Sequence, residues 1–253
     1  MSTINDNKKE EEGEQNYYQL IHVPAAGSFA GQEVVLEANL SIPKNAQGLV
    51  IFAHGSGSGR HSPRNRYVAQ VLQDKGIGSL LIDLLTEREE EIDLQTRHLR
   101  FDIGLLSQRL IAATDWLKQN SGSRPFKVGY FGASTGAAAA LVAAAGRPNT
   151  INAIVSRGGR PDLAGIDTLQ KVQAPTLLIV GGNDVPVIDM NKQALDKMHM
   201  LVESNNNNNT ESKKNKKKKK LVIVPGATHL FEEPGKLEEV ARLAAEWFAR
   251  YLR

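Results

Sequence analysis

The sequence predicts a doubly wound α/β fold, and three observations carry that expectation. Six short apolar runs recur along the chain: GLVIFAHG, GSLLIDLL, VGYFGA, NAIVSRGG, TLLIVGG and LVIVPG. Apolar runs of this length without polar alternation mark strands covered on both faces, as in a parallel sheet. Helical segments lie between them, and regular strand–helix alternation with right-handed crossovers places helices on both sides of one sheet. With 253 residues, 41% hydrophobic and 23% charged, the chain has the length and composition of one large globular domain.

Taken in order, residues 1–16 are charged and nearly free of apolar side chains, which predicts a disordered tail. Residues 17–253 form the expected single domain. It opens with YYQLIHVPAAGSFAGQEVVLEANLSIP, two strand-like runs around a Gly- and Ala-containing turn, read as an antiparallel hairpin. Among the helices, RYVAQVLQDKG ends at Gly76, as helices commonly do. Leu105, Leu106, Leu110, Ile111 and Trp116 recur at helical spacing in the next. TGAAAALVAAAG combines high helix propensity with small side chains that allow close packing on a sheet, and GKLEEVARLAAEWFARYLR closes the chain as an amphipathic helix. The Asn- and Lys-rich segment 204–220 buries no apolar area to offset its ordering entropy, so a disordered insertion loop is expected there. A lysine run of this kind is either a solvated insertion or a patch for polyanions.

Charge and composition exclude several classes. The net charge of +3 owes everything to the seven lysines of residues 213–220, without which the remainder carries −4. A general nucleic-acid-binding surface is therefore not expected. There are no cysteines, so no disulfide, thiolate nucleophile or cysteine-ligated metal enters the chemistry. The polar beginning does not read as a signal peptide, and no run approaches a membrane span, so a cytoplasmic location without membrane attachment is expected.

The candidate chemistry centres on Gly132-Ala133-Ser134-Thr135-Gly136, a G-x-S-x-G pattern between an apolar strand and an alanine-rich helix. In that context the serine stands on a strained turn with its Oγ above the sheet, and small neighbours avoid collision with adjacent backbone. A glycine-rich turn kept for packing or for a phosphate is the competing reading of the pentapeptide alone. A serine hydroxyl needs a base, and the base needs an orienting acid. Asp184 follows the strand TLLIV, and His229 follows LVIVPG. Parallel strands end on one edge, so Ser134, Asp184 and His229 should converge there. Asp162, after the preceding strand, is the alternative acid. Asp184 as a turn former and His229 as a packing residue are the functionless alternatives.

The Gly- and Ser-rich loop after VIFAHG lets backbone N–H groups approach a substrate oxygen. The expected oxyanion donors are the N–H groups of Ser56 and Thr135, while His54 is read as structural. The GSGSG stretch lacks the lysine of a phosphate-binding loop. The HG loop, the GASTG turn, GGNDVPV and PGATHLFEEPG together resemble the α/β-hydrolase superfamily, and more narrowly its dienelactone hydrolase-like group, over about residues 20–253. The resemblance implies an α/β-hydrolase fold and a hydrolytic Ser-His-Asp triad in the order Ser134, Asp184, His229. Dienelactone hydrolase uses a cysteine nucleophile where this chain has Ser134, which favours a serine esterase.

Only a short helix is expected between the strands NAIVSRGG and TLLIVGG, so a large cap is absent and the substrate is expected to be a small ester or related acyl compound. Arg60, His61, Arg157 and Arg160, with Arg64 nearby, either bind a substrate anion or pair with the acidic residues of LLTEREEEID. No metal or organic cofactor is expected. A peptidase or an acyltransferase would use the same triad, and a non-catalytic binding module on a hydrolase scaffold is a further alternative.

Overall fold

The computed structural model describes residues 17–29, 32–121, 126–204 and 218–253. The expected N-terminal tail and most of the Asn/Lys insertion lie outside the described residues.

Eight strands form one sheet in the order β1-β2-β4-β3-β5-β6-β7-β8. β1 (Tyr17–Phe29) pairs antiparallel with β2 (Gln32–Ile42), the expected hairpin, and β2 pairs antiparallel with β4 (Gly78–Ile82). From there the sheet is parallel through β3 (Gly48–Ala53), β5 (Lys127–Ala133), β6 (Ile151–Arg157), β7 (Thr176–Gly181) and β8 (Lys219–Val224). The unbroken apolar runs are explained by β3. Leu49, Ile51 and Ala53 enter one core cluster, while Val50 and Phe52 enter the other, so both faces are buried.

One face carries α3 (Ile103–Asn120), α4 (Thr135–Gly146), α5 (Ile166–Lys171) and α6 (Val185–Ser204). On this side Leu106, Leu110, Ala139, Leu169 and Met198 share one core with the hairpin. The opposite face holds α1 (Pro63–Asp74) and the terminal α7 (Lys236–Tyr251), whose Val68, Leu72, Trp247 and Phe248 pack on the sheet. Helices on both faces of this sheet, with its antiparallel start and the order β1-β2-β4-β3-β5-β6-β7-β8, give the expected α/β-hydrolase fold. Between β6 and β7 lie only a 3-10 turn, Pro161–Ala164, and the short α5, so no cap covers the C-terminal edge.

The acidic stretch after β4, residues Glu87–Thr96, forms helix α2. Thr86 accepts the Glu89 N–H while the Glu89 carboxylate accepts the Thr86 N–H, a reciprocal cap that the T-x-x-E spacing encodes. Glu89 is buried and pairs with Arg109 of α3 at 2.8 Å, which ties α2 to the body. A departure from expectation lies at the ends of the 204–220 insertion. Ser204 closes α6, while Lys219 and Lys220 open β8. The Lys219 ammonium is buried and donates to the carbonyls of Val172 (2.8 Å) and Ala174 (2.6 Å). That capture of loop carbonyls explains how a lysine enters the sheet.

Candidate functional site at the C-terminal edge

Ser134 joins β5 to α4 with φ 50° and ψ −119°. A non-glycine residue at such φ is costly and persists only where its surroundings hold it. Backbone bonds do so here. The Ser134 N–H donates to Arg157 O (3.2 Å), and Ser134 O accepts from the Arg160 N–H (3.1 Å). The flanking glycines are required by space. A Cβ on Gly132 would lie 2.4 Å from Ala137 Cα, and one on Gly136 would lie 2.3 Å from Ala53 O. The turn therefore brings α4 against β5 and β3 while holding the serine at their ends.

Asp184 leaves the end of β7, and His229 lies in the loop after β8. The Asn183 N–H donates to Ala227 O (2.9 Å) and Asn183 Nδ2 to Gly226 O (3.2 Å), binding the two loops together. His229 Nδ1 stands 2.6 Å from Asp184 Oδ2. A carboxylate only accepts, so Nδ1 carries the proton and Nε2 is left as the basic nitrogen. Under the imidazole lies Gly158, at φ 51°, where a Cβ would approach His229 Cε1 and Nδ1 to 3.4 Å. Gly181 is equally constrained, since its Cβ would meet Ala227 O at 2.4 Å. The Ser134 hydroxyl forms no hydrogen bond among the described residues. Such bonds commonly tighten only with substrate in place. Asp162, the alternative acid, is held instead by Arg160, whose Nε and Nη2 donate to it at 2.9 and 2.7 Å.

The loop after β3 abuts the turn, since a Cβ on Gly55 would sit 3.1 Å from Ser134 Cβ. Ser56 Oγ and Thr135 Oγ1 are 3.1 Å apart, and Thr135 is the first residue of α4. The helix N-terminus adds positive potential beside Ser134. His54 is buried, with Nε2 accepting from the Leu84 N–H (2.9 Å) and Nδ1 facing Gly55 O (3.0 Å). Burial lowers its pKa, so it is a neutral imidazole locking the loop to the end of β4.

A cavity of about 720 Å³ opens beside this loop, lined in part by Gly55, Ser56 and Thr135, the neighbours of Ser134. Helix α2 forms part of its wall, contributing Glu87, Glu90, Asp93 and Leu94 at helical spacing. Glu37 and Asp83 add further carboxylates. Burial, reinforced by Asp83 and Asp93, raises the pKa of Glu90. These wall residues were not expected from sequence; the T-x-x-E cap was the available signal.

The residues expected to meet a substrate anion separate in space. Arg60 lines the cavity but is held by Asp83 and by Glu37 at 2.5 Å. Arg160 is occupied by Asp162, and Arg64 pairs with Glu232 at 2.9 Å. Arg157 is buried, 7% exposed, beneath the His229 loop. His61 alone of the expected set lines the cavity without a salt bridge among the described residues. Arg60, Arg64 and Arg160 are thus paired, but with Asp83 and Glu37, Glu232 and Asp162 rather than with the acidic residues of LLTEREEEID, and Arg157 has no carboxylate partner among the described residues. Among the described residues no three His, Cys, Asp or Glu side chains group closely enough to hold a metal ion. No described helix is long and apolar enough to cross a membrane.

Known proteins resemble this chain in sequence and fold. A dienelactone hydrolase from Anabaena variabilis of solved structure is 58% identical and superimposes with a TM-score of 0.83, covering 94% of this chain and 100% of that one. The esterase Est1E from Butyrivibrio proteoclasticus shares the fold at a TM-score of 0.65 with 18% identity, over 91% of this chain and 98% of its own. Two Mycobacterium tuberculosis proteins, each named putative phosphoribosyl transferase, are 51% identical over 219 residues. That stretch is 87% of this chain but 44% of theirs, so the chain spans under half the length of the curated relatives it matches. The dienelactone hydrolase family model matches residues 36–252. By that match and by the Anabaena likeness, the chain belongs to the dienelactone hydrolase family.

Proposed function

We propose that the chain is a serine hydrolase that cleaves a carboxylic ester, or a related acyl bond, of a small substrate. Ser134 attacks the carbonyl, His229 Nε2 takes its proton and returns it to the leaving group, and Asp184 orients the imidazole and stabilises its charged form. The N–H groups of Ser56 and Thr135 hold the oxyanion. Water then hydrolyses the acyl-enzyme by the same proton transfers in reverse. The observation that carries the reading is Ser134 at φ 50°, on a turn two strands from a 2.6 Å His229–Asp184 pair.

The cavity narrows the substrate. Its wall sets five carboxylates, Glu37, Asp83, Glu87, Glu90 and Asp93, against the guanidinium groups of Arg60 and Arg100. Both arginines are already paired, with Asp83 and Asp93 respectively. An anionic group entering there meets like charge and no free guanidinium, so neutral or cationic esters are favoured over the anionic ones first considered. The same surplus disfavours a phosphoribosyl substrate. The transferase name of the mycobacterial relatives belongs to proteins more than half of which this chain does not match.

Short p-nitrophenyl esters test the reading. Ser134→Ala is expected to abolish turnover while the protein stays folded by circular dichroism. Turnover that survives the substitution removes Ser134 as nucleophile.

A further inference from the structure

Arg157 is a buried cation without a carboxylate. Among the described residues it forms no salt bridge, and its Nε is buried with no partner. Burial, reinforced by the nearby charge of Arg64, pulls its pKa down to about 10, so it still carries its charge near neutrality. A buried charge of this kind is poor evidence for stability, because an apolar side chain of similar volume is often as good or better. Its surroundings suggest another use. The Arg157 guanidinium donates through Nη1 to Leu230 O at 3.4 Å and lies 6.0 Å over the Phe231 ring. Phe231 has φ 58°, a strained conformation two residues beyond His229. The backbone of the same residue faces the other way, with Arg157 O accepting the Ser134 N–H at 3.2 Å. The next residue, Gly158, underlies the His229 ring and anchors to β7 through its N–H on Ile179 O at 2.8 Å.

We infer that Arg157 is a positioning residue that fixes the distance between nucleophile and base, its carbonyl holding the Ser134 turn and its guanidinium holding the Leu230–Phe231 turn that carries His229. The side chain acts through the loop and touches no reacting atom. Lysine would keep the charge, but a point ammonium cannot both stack on Phe231 and reach Leu230 O as a planar fork does. Loss of the guanidinium frees the strained turn to relax and moves His229 away from its bond to Asp184. Misplacement of a base by about 1 Å costs about 100-fold in rate.

The inference rests on the proposed triad, so its test includes a readout that needs no turnover. Arg157→Met and Arg157→Lys are compared with wild type in two measurements. In steady-state hydrolysis of a neutral p-nitrophenyl ester, Arg157→Met should lower kcat by 30- to 100-fold with KM within about threefold. Arg157→Lys should recover about tenfold of that loss. In one-dimensional proton NMR, the downfield resonance of the His229 Nδ1 proton, assigned by its loss in Asp184→Asn, should vanish or broaden in folded Arg157→Met. A folded Arg157→Met that keeps the resonance overturns the inference even if no ester is ever hydrolysed. So does one that raises KM with kcat unchanged, which would make Arg157 a substrate contact. If Arg157→Met does not fold, Arg157→Lys decides alone: a kcat at least threefold below wild type supports the role, and a wild-type kcat with an intact resonance ends it.

Discussion

The two ends of the parallel sheet both depend on glycine, but for different reasons. At two glycines of the C-terminal end, the space a Cβ would take is occupied by backbone. Gly136 faces Ala53 O and His54 O, and Gly181 faces Ala227 O and Thr228 O. Near the opposite end, Gly129 faces the ring of Phe248 at 2.7 Å, near the end of α7, and the side chain of Leu252 just after it. Backbone pinned in a sheet cannot yield, whereas a ring on a terminal helix can shift. One end is shaped to hold a geometry and the other to pack a helix, and substitution to alanine should separate the two.

The largest effect is expected at Gly136. A Cβ there would lie 2.3 and 2.4 Å from the carbonyls of Ala53 and His54, which lead into the Gly55–Ser56 loop. Gly136→Ala should push that loop from Ser134 and lower kcat/KM by at least 100-fold, a loss of about 2.7 kcal/mol of transition-state stabilisation. Gly158→Ala comes next. It places a Cβ at φ 51° and 3.4 Å from the His229 ring, and a tenfold fall in kcat is expected from displacement of the base. Gly129→Ala should reverse the balance. Overpacking against Phe248 should cost about 1–3 kcal/mol in urea unfolding, with kcat/KM within twofold of wild type. If Gly129→Ala impairs turnover as much as Gly136→Ala, the division between the two ends fails.

Most of the fold was legible in the sequence because unbroken apolar runs have one common outcome, a strand buried on both faces. That Ser134, Asp184 and His229 lie at one edge was legible because each follows such a run, and parallel strands share an edge. The partners of the arginines were not. Arg60 lies 23 residues from Asp83, and only the sheet order, which sets β3 beside β4, brings them together. The glycines beneath His229 were hidden for the same reason, since Gly158 and His229 meet only through the packing of β6 against the loop after β8. Helix α2 was written locally, in Thr86 and Glu89, but its acidic run masked the cap. Lys219 was hidden by its neighbours, because nothing in a run of five lysines tells which one the sheet will bury.

Lys219 gives the smallest and most specific test of the packing end. Its ammonium donates to Val172 O, Ala174 O and, at 3.5 Å, Thr176 Oγ1. Burial, with the charge of Lys218, pulls its pKa from 10.5 down to about 7. The folded pKa is therefore below the unfolded one. Between them the unfolded chain binds more protons, so this residue's contribution to stability rises with pH from about 7 towards 10.5 and is flat below that window. The slope has an upper limit of about 1.4 kcal/mol per pH unit. Lys219→Met removes the titration and leaves two loop carbonyls without their donor. Urea unfolding at pH 6, 7.5 and 9 should show wild type gaining on Lys219→Met as pH rises, with kcat unchanged because the site is at the other end of the sheet. Parallel stability profiles would mean that the ammonium stays charged in the fold, held by its carbonyls against the cost of burial.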